Sequence, residues 1–321
     1  MTTGSMLDSV RTLMTGLIDY AGLFPPSQLP MSEATENYAR YLRSEHADFL
    51  ARFICPVPRL KEFTEKASVL LPGTHATSGY REHADDIDPW QLSAIIIGDL
   101  AENLEGIYAF NEHHDQEQNG LAMVDAIEMK ITSVDDIDEA LAHIPEALDV
   151  AFEIPPTSVI DGDPRGFIAA LSGGDAIAKV RCGGVEASMI PSSEDIARFI
   201  LACKAAGVAF KCTAGLHHPI RAEHNLTYED NSARGVMHGF INMFFASAFV
   251  RSTKNPVEDT VIAILDETDA EAFAFSNEGV RWREHTVSTS HLAHARESFS
   301  TSYGSCSFDE PREDLKALGL L

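Results

Sequence analysis

Two lysines occupy matching places in two similar runs of this chain. Lys179 lies in Ala176–Gly183 (AIAKVRCG) and Lys211 in Val208–Gly215 (VAFKCTAG). If both runs are β-strands, side chains alternate between two faces. Lys179 then shares a face with Ile177 and Arg181, and Lys211 with Ala209 and Thr213. Ala178, Val180, Cys182, Phe210 and Cys212 take the opposite faces. A lysine set among apolar residues and other cations gives up its proton more readily, because desolvation and like charge both disfavour the ammonium. The free amine can attack a carbonyl carbon and form a Schiff base. Lys211 is the strongest nucleophile candidate on this argument, and Lys179 the neighbour that would tune it. The competing reading is that both lysines hold a phosphate or carboxylate as point charges.

The same alternation isolates further charged residues. Glu128 and Lys130 stand opposite Ile127, Met129 and Ile131 in Val124–Ile131. Glu153 stands opposite Phe152 and Ile154 in Val150–Pro155, and Arg52 opposite Phe53 and Cys55 in Ala51–Pro56. Three of only eight lysines fall on this stripe. Mutual ion pairing could account for it, but burying ion pairs costs several kcal/mol (roughly) of desolvation, so a large cluster is a poor way to stabilise a core. The mixture suits a small anionic substrate that also needs proton transfer. Glu153 and Glu128 would move protons, while Arg181, Lys130, Arg52 and Thr213 would hold the anion.

His217 and His218 follow the Lys211 run directly, with His224 and His238 further on. Near pH 7 an imidazole serves as acid, base or phosphate donor. With Glu153, and Glu186 as a candidate fourth ligand, the two could instead ligate Zn, Mn or Fe, but adjacent histidines point in different directions, so acid/base work ranks first. His238 reads as a satisfied core histidine. Gly183 and Gly184, and the segment 304–307, could offer backbone N–H groups to a phosphate. Cys306 is the one cysteine in a polar loop and the one to consider reactive. No P-loop, dinucleotide glycine motif or nucleophile elbow is present.

The elements that must position these residues follow from the rhythm of the chain. Short β-type runs, including Ser93–Gly98, alternate with helical patterns at Lys61–Leu70, Ala101–Gln116, Val134–His143, Arg165–Leu171 and Ser193–Ala206. Such alternation indicates a parallel sheet. The fold class is α/β, a TIM-barrel-like (β/α) barrel with six clear βα units, and the polar stripe faces the lumen at the strand ends where barrel active sites are built. Residues 1–321 read as one barrel-like domain: a helical extension over 1–48, the βα core over 49–250, and a helix-and-hairpin extension over 251–321. In the last segment a helix over Arg234–Val250 and another over Val257–Asp266 precede a hairpin of Ala272–Ser276 with Val280–Val287. There Gly279 would supply the positive φ of the turn.

Residues 177–215 resemble the strand–helix–strand stretch of deoxyribose-phosphate aldolases, class I aldolase barrels. In that family the last strand carries the Schiff-base lysine in a Lys-Thr-Ser-Thr-Gly-like motif, matched here by Lys211 in KCTAG. The resemblance implies Lys211 as the imine former. It covers about an eighth of the chain, and the family's second lysine motif on the next strand has no counterpart after Lys211. The segments DYAGLFPP (19–26) and YGSCSFDEP (303–311) resemble those of bacterial proteins to which no activity is attached.

Composition narrows the partners. With 24 basic and 49 acidic residues the formal charge is −25, a field that repels nucleic-acid backbones and anionic lipid. Residues 1–8 show neither a basic n-region nor an apolar h-region. Five cysteines without a C-x-x-C pair argue against a disulfide framework. The chain reads as cytoplasmic, with a small anionic substrate as partner, no nucleic acid or membrane, and room for a homo-oligomer. The favoured function is an aldolase-type lyase that needs no cofactor. A metal-dependent lyase or hydrolase using His217 and His218 (cofactor: a divalent metal) comes second and a phosphoribosyltransferase-type barrel third; a non-enzymatic anion-binding module is the alternative outside catalysis.

Overall fold

The computed structural model describes residues 6–73 and 88–321; the leader reading of residues 1–8 rests largely on residues outside that range. Eight strands, all paired in parallel, close into a barrel. They are β1 (Ile18–Tyr20), β2 (Leu50–Pro56), β3 (Trp90–Ile95), β4 (Ala122–Lys130), β5 (Asp149–Glu153), β6 (Ile177–Arg181), β7 (Phe210–Thr213) and β8 (Ser300–Ser305). Strand and helix alternate around most of the ring, which is the TIM-barrel-like architecture the rhythm predicts.

Five of the six central strands lie within two residues of their apolar runs, and β3, read as Ser93–Gly98, starts three residues earlier at Trp90 and stops at Ile95. The two that close the ring do not come from the core segment, and this corrects the division into core and extensions. β1 pairs with β2 on one side and β8 on the other, Asp19 lying opposite Gly304. Both chain ends are therefore barrel wall. β1 has three residues, all buried, and so shows no alternation. β8 reads STSYGS, with few of the β-branched and aromatic residues that mark a strand.

Helices cover the outside. Phe152, Val180 and Phe210 face them and are fully buried, with Phe210 packed edge-on against Phe199 and Phe299 at ring separations of 5.2 Å. The helix Ser193–Ala206 starts at a capping box formed by Ser192 and Asp195 and stops at Gly207 in the left-handed region, as its sequence signals require. The helix expected from Arg234 begins only at Phe240. Residues Arg234–Met237 instead pair with Ala222–Asn225 as a short antiparallel ribbon over the barrel mouth. Phe240 through Val250 are buried all round, because flanking helices cover this segment on several sides. No described helix is long and apolar enough to cross a membrane.

The C-terminal hairpin has a third strand. Phe273–Phe275, Gly279–Trp282 and His285–Ser288 form one antiparallel sheet, and Arg283, at φ 50°, turns the chain inside the run read as continuous. Gly279 does not adopt positive φ. It is required because a Cβ there would stand 2.3 Å from the Val287 carbonyl oxygen.

Candidate functional site

The inward positions at the C-terminal ends of four neighbouring strands share a register. Lys130 lies beside Glu153, Glu153 beside Lys179, and Lys179 beside Lys211. Strand spacing of about 4.8 Å puts alternating charges within reach of one another. Glu128, one inward position below Lys130, reaches across and joins the two lysines. Its Oε2 lies 2.7 Å from Lys179 Nζ and its Oε1 2.6 Å from Lys211 Nζ. Lys179 also meets Glu153 at 2.7 Å, and Arg181 approaches Glu153 at 3.4 Å.

Lys211 has a second carboxylate, Asp19 of β1, at 2.8 Å. The hydroxyls of Ser93 and Ser302 donate to Glu128 (2.9 Å) and Asp19 (2.6 Å). The result is an unbroken chain of charge, Asp19–Lys211–Glu128–Lys179–Glu153–Arg181, whose carboxylates and lysines are nearly fully buried.

This arrangement reverses one expectation. Lys211 does not sit among cations and apolar groups as a free amine. Burial alone would lower its pKa, but Asp19 and Glu128 outweigh burial and hold the ammonium above its ordinary range. Lys179 is raised in the same way against Glu128 and Glu153. Conversely, burial would push the Glu128 carboxyl up, yet Lys179 and Lys211 hold it well below the usual carboxylate range. Glu153 is lowered by Lys179 and Arg181 against the same opposing burial. The sequence put both lysines on one face correctly. It did not reveal that Glu128 separates their charges, so Lys179 acts on Lys211 through that shared carboxylate.

The cluster forms the floor of a cavity of about 740 Å³. Glu128, Lys130, Glu153, Lys179, Arg181, Lys211, Thr213, Gly184, His217 and His218 all contribute to its lining. Phe24, Ile54, Ile96, Met129 and Leu226 give it apolar walls, a distribution typical of small-molecule sites. Three carboxylates balance Lys179, Lys211 and Arg181. Lys130 has no ion-pair partner among the described residues and is exposed at the rim. Its charge at the rim is therefore surplus to the balanced ion pairs of the floor.

Arg52 is not in this site. It sits near the start of β2, at the opposite end of the barrel. There its guanidinium grips Asp125 through two hydrogen bonds (2.7 and 2.8 Å) and reaches Asp149 at 3.0 Å. It satisfies the N-terminal rim and is not available to an anion in the cavity. Gly183 is likewise not in the lining. A Cβ on it would fall 2.8 Å from the Gly215 Cα, so it lets the ends of β6 and β7 converge. Gly184 does line the cavity, and a Cβ there would strike Met189.

The histidines separate. His217 Nδ1 pairs with Glu310 at 2.9 Å, and His218 Nδ1 with Asp314 at 2.7 Å. Their rings are 6.5 Å apart, and His218 stacks on His224 at 3.5 Å. His224 is not in the cavity lining. Glu186, weighed as a metal ligand, contributes only a surface contact with Ser188. Among the described residues no three His, Cys, Asp or Glu side chains form a metal-binding group. His238 is the satisfied core residue its context suggests, with one nitrogen on the Pro191 carbonyl (2.8 Å) and the other beside Arg221 (3.2 Å).

Asp19, Ser93, Ser302 and Glu310 were not singled out from the sequence. Asp19 belongs to a strand too short to show a period, and Glu310 to a terminal helix with no visible link to His217. Compared with protein-family models, curated proteins and solved structures, the chain matches none.

Proposed function

We propose that this barrel is an enzyme acting on a small anionic carbonyl compound, a carbon–carbon lyase of the aldolase type working through an imine on Lys211. The observation that carries the reading is the placement of the Lys211 ammonium. It lies on the floor of a small-molecule cavity, hydrogen-bonded to two carboxylates, one of them shared with a second lysine. The ion pairs hold the resting proton on Lys211, so imine formation requires the bound substrate to shift that balance, and Glu128, 2.6 Å away, is the base within reach of the proton. When a carbonyl carbon approaches, Glu128 accepts the proton, the neutral amine adds, and the protonated Glu128 returns that proton to the departing hydroxyl as water is lost.

The resulting iminium is the electron sink for cleavage of the neighbouring carbon–carbon bond. Glu153 is placed to accept the proton released from the substrate hydroxyl in that step. Lys179 stays charged between Glu128 and Glu153 and keeps both carboxylates ionised until they are used. Lys130, the surplus cation, and Arg181, at 3.4 Å from its partner, would hold the substrate's anionic group.

Borohydride treatment during exposure to a panel of keto acids and sugar phosphates tests the reading. At least one compound should leave a reduced adduct, located by mass spectrometry on Lys211. Lys211→Arg keeps the charge but should give no adduct and no turnover. Full turnover in that variant, or no Lys211 adduct across a panel that includes a turned-over compound, would remove the imine from the mechanism.

A further inference from the structure

The same cavity holds a second group of reactive side chains which the imine mechanism does not use. Cys306 follows the end of β8, His217 lies four residues beyond β7, and Glu310 is in the first turn of the helix Asp309–Ala317. His217 uses both ring nitrogens. Nδ1 meets Glu310 Oε2 at 2.9 Å, and Nε2 faces Cys306 Sγ at 3.9 Å. Tyr228 donates to the same Glu310 oxygen at 2.9 Å, and its hydroxyl stands 3.7 Å from the sulfur. All four side chains line the cavity. The sequence of contacts is nucleophile, base and orienting carboxylate, the arrangement that activates a thiol.

Energetics separate this group from a packing cluster. Cys55, Cys182, Cys203 and Cys212 are fully buried, as structural thiols are, and none lines the cavity. Cys306 instead borders three polar groups in a largely buried setting, where a small apolar side chain would be the less costly occupant. Burial would lower the His217 pKa, but Cys306 and Glu310 raise it above the ordinary range. Burial would raise the thiol, but His217 lowers it. Both shifts favour a thiolate beside an imidazolium, which is the nucleophilic form.

We propose that Cys306 is a second nucleophile of the cavity, activated by His217 and Glu310, that adds through sulfur to the carbonyl carbon of a small aldehyde. The thiolate sulfur forms a bond to carbon, and the carbonyl π pair moves to oxygen. That oxygen takes the proton from His217 Nε2, the one the thiol had given up. The product is a hemithioacetal; no oxidant, reductant or leaving group is involved, and the reverse path restores the imidazolium and thiolate. Aldehydes are the fitting class because thiols add to them readily and to ketones poorly. The proposal stands independently of whether Lys211 forms an imine.

Alkylation of the full-length protein by iodoacetamide, followed across pH by peptide mass spectrometry, reads the thiolate directly. Cys306 should be labelled ahead of the other four cysteines. Its rate should hold nearly constant to pH values at which an ordinary thiol has already lost its reactivity. His217→Asn should slow labelling near pH 7 by roughly tenfold or more. Glyoxylate carrying carbon-13 at the aldehyde should then give a hemithioacetal resonance that disappears in Cys306→Ser. An ordinary thiol pH curve for Cys306 in the native protein would overturn the activation, as would labelling no faster than that of the buried cysteines. Absence of the hemithioacetal signal would overturn the aldehyde chemistry.

Discussion

Glu128→Gln is the most informative single change, because one carboxylate serves two buried ammonium groups. Glu128 accepts from Lys179, Lys211 and Ser93. A glutamine fits the same space but has one oxygen. However its amide is turned, the nitrogen end points N–H donors at an ammonium, and the floor gains an uncompensated positive charge. Removing one member of a buried ion pair costs about 3–5 kcal/mol. The retained partners, Asp19 for Lys211 and Glu153 for Lys179, set the expectation at the lower end. With an unfolding entropy of ~2.1 cal/mol/K per residue over 321 residues, a loss of about 3 kcal/mol lowers Tm by roughly 4–5 °C.

The pH dependence identifies the cause. The folded Glu128 carboxyl titrates well below its ordinary 4.5. Its contribution is therefore present above pH ~4.5 and is lost as pH falls towards the folded value. The Tm gap between wild type and variant, measured by calorimetry, should be widest near neutral pH and narrow steadily from pH 5 to pH 3. A gap below about 1 °C at pH 7, or one equally large at pH 3, would refute the shared-carboxylate argument.

Two further changes probe the scaffold. Gly215→Ala places a Cβ 2.7 Å from the Gly183 Cα at a position with φ +76°, so stability should fall by about 2–4 kcal/mol in a denaturant titration, with loss of activity as the ends of β6 and β7 part. Arg52→Met removes the partly buried contacts to Asp125 and Asp149 at the far end of the barrel. It should lower Tm by roughly 2–3 °C, from a loss of ~1–2 kcal/mol, while leaving the Michaelis constant for any turned-over substrate unchanged; a rise in that constant would return Arg52 to the substrate site.

What the sequence revealed depended on period. Wherever a strand is long enough to alternate, as around Glu128, Lys179 and Lys211, the inward residues could be assigned from the pattern alone, and the charged ones near the strand C-terminal ends line the cavity. Arg52 obeys the same alternation but stands near the N-terminal end of β2. Alternation gives the face and not the depth, and a charge at the wrong end of a barrel serves the scaffold. The sign of the Lys211 shift was out of reach for a related reason. Neighbouring residues along the strand are apolar, but the groups that decide its protonation, Asp19 and Glu128, come from β1 and β4, far away in the chain. A pKa is set by what surrounds the nitrogen in space, and sequence proximity counts for little.

The ends of the chain carry the largest consequence. β1 supplies Asp19 and the turn after it Phe24; β8 supplies Ser302, and the residues after it Cys306 and Glu310. Without the first and last strands the barrel has two open edges, and Lys211 loses the carboxylate that shares its charge with Glu128. The pairing of Asp19 with Gly304 brings together residues nearly the full chain apart, a contact whose loop closure carries an entropic cost. Ring closure and neutralisation of the buried lysine are thus one event. An unclosed barrel leaves a desolvated ammonium short of a partner, which opposes partly assembled states, and a closed one completes both the wall and the reactive floor. β1 is short and β8 is polar, so neither carries the alternation that marks the other strands. Each brings a polar group towards Lys211, Asp19 from one and Ser302 from the other, and the strands on either side hold them in place.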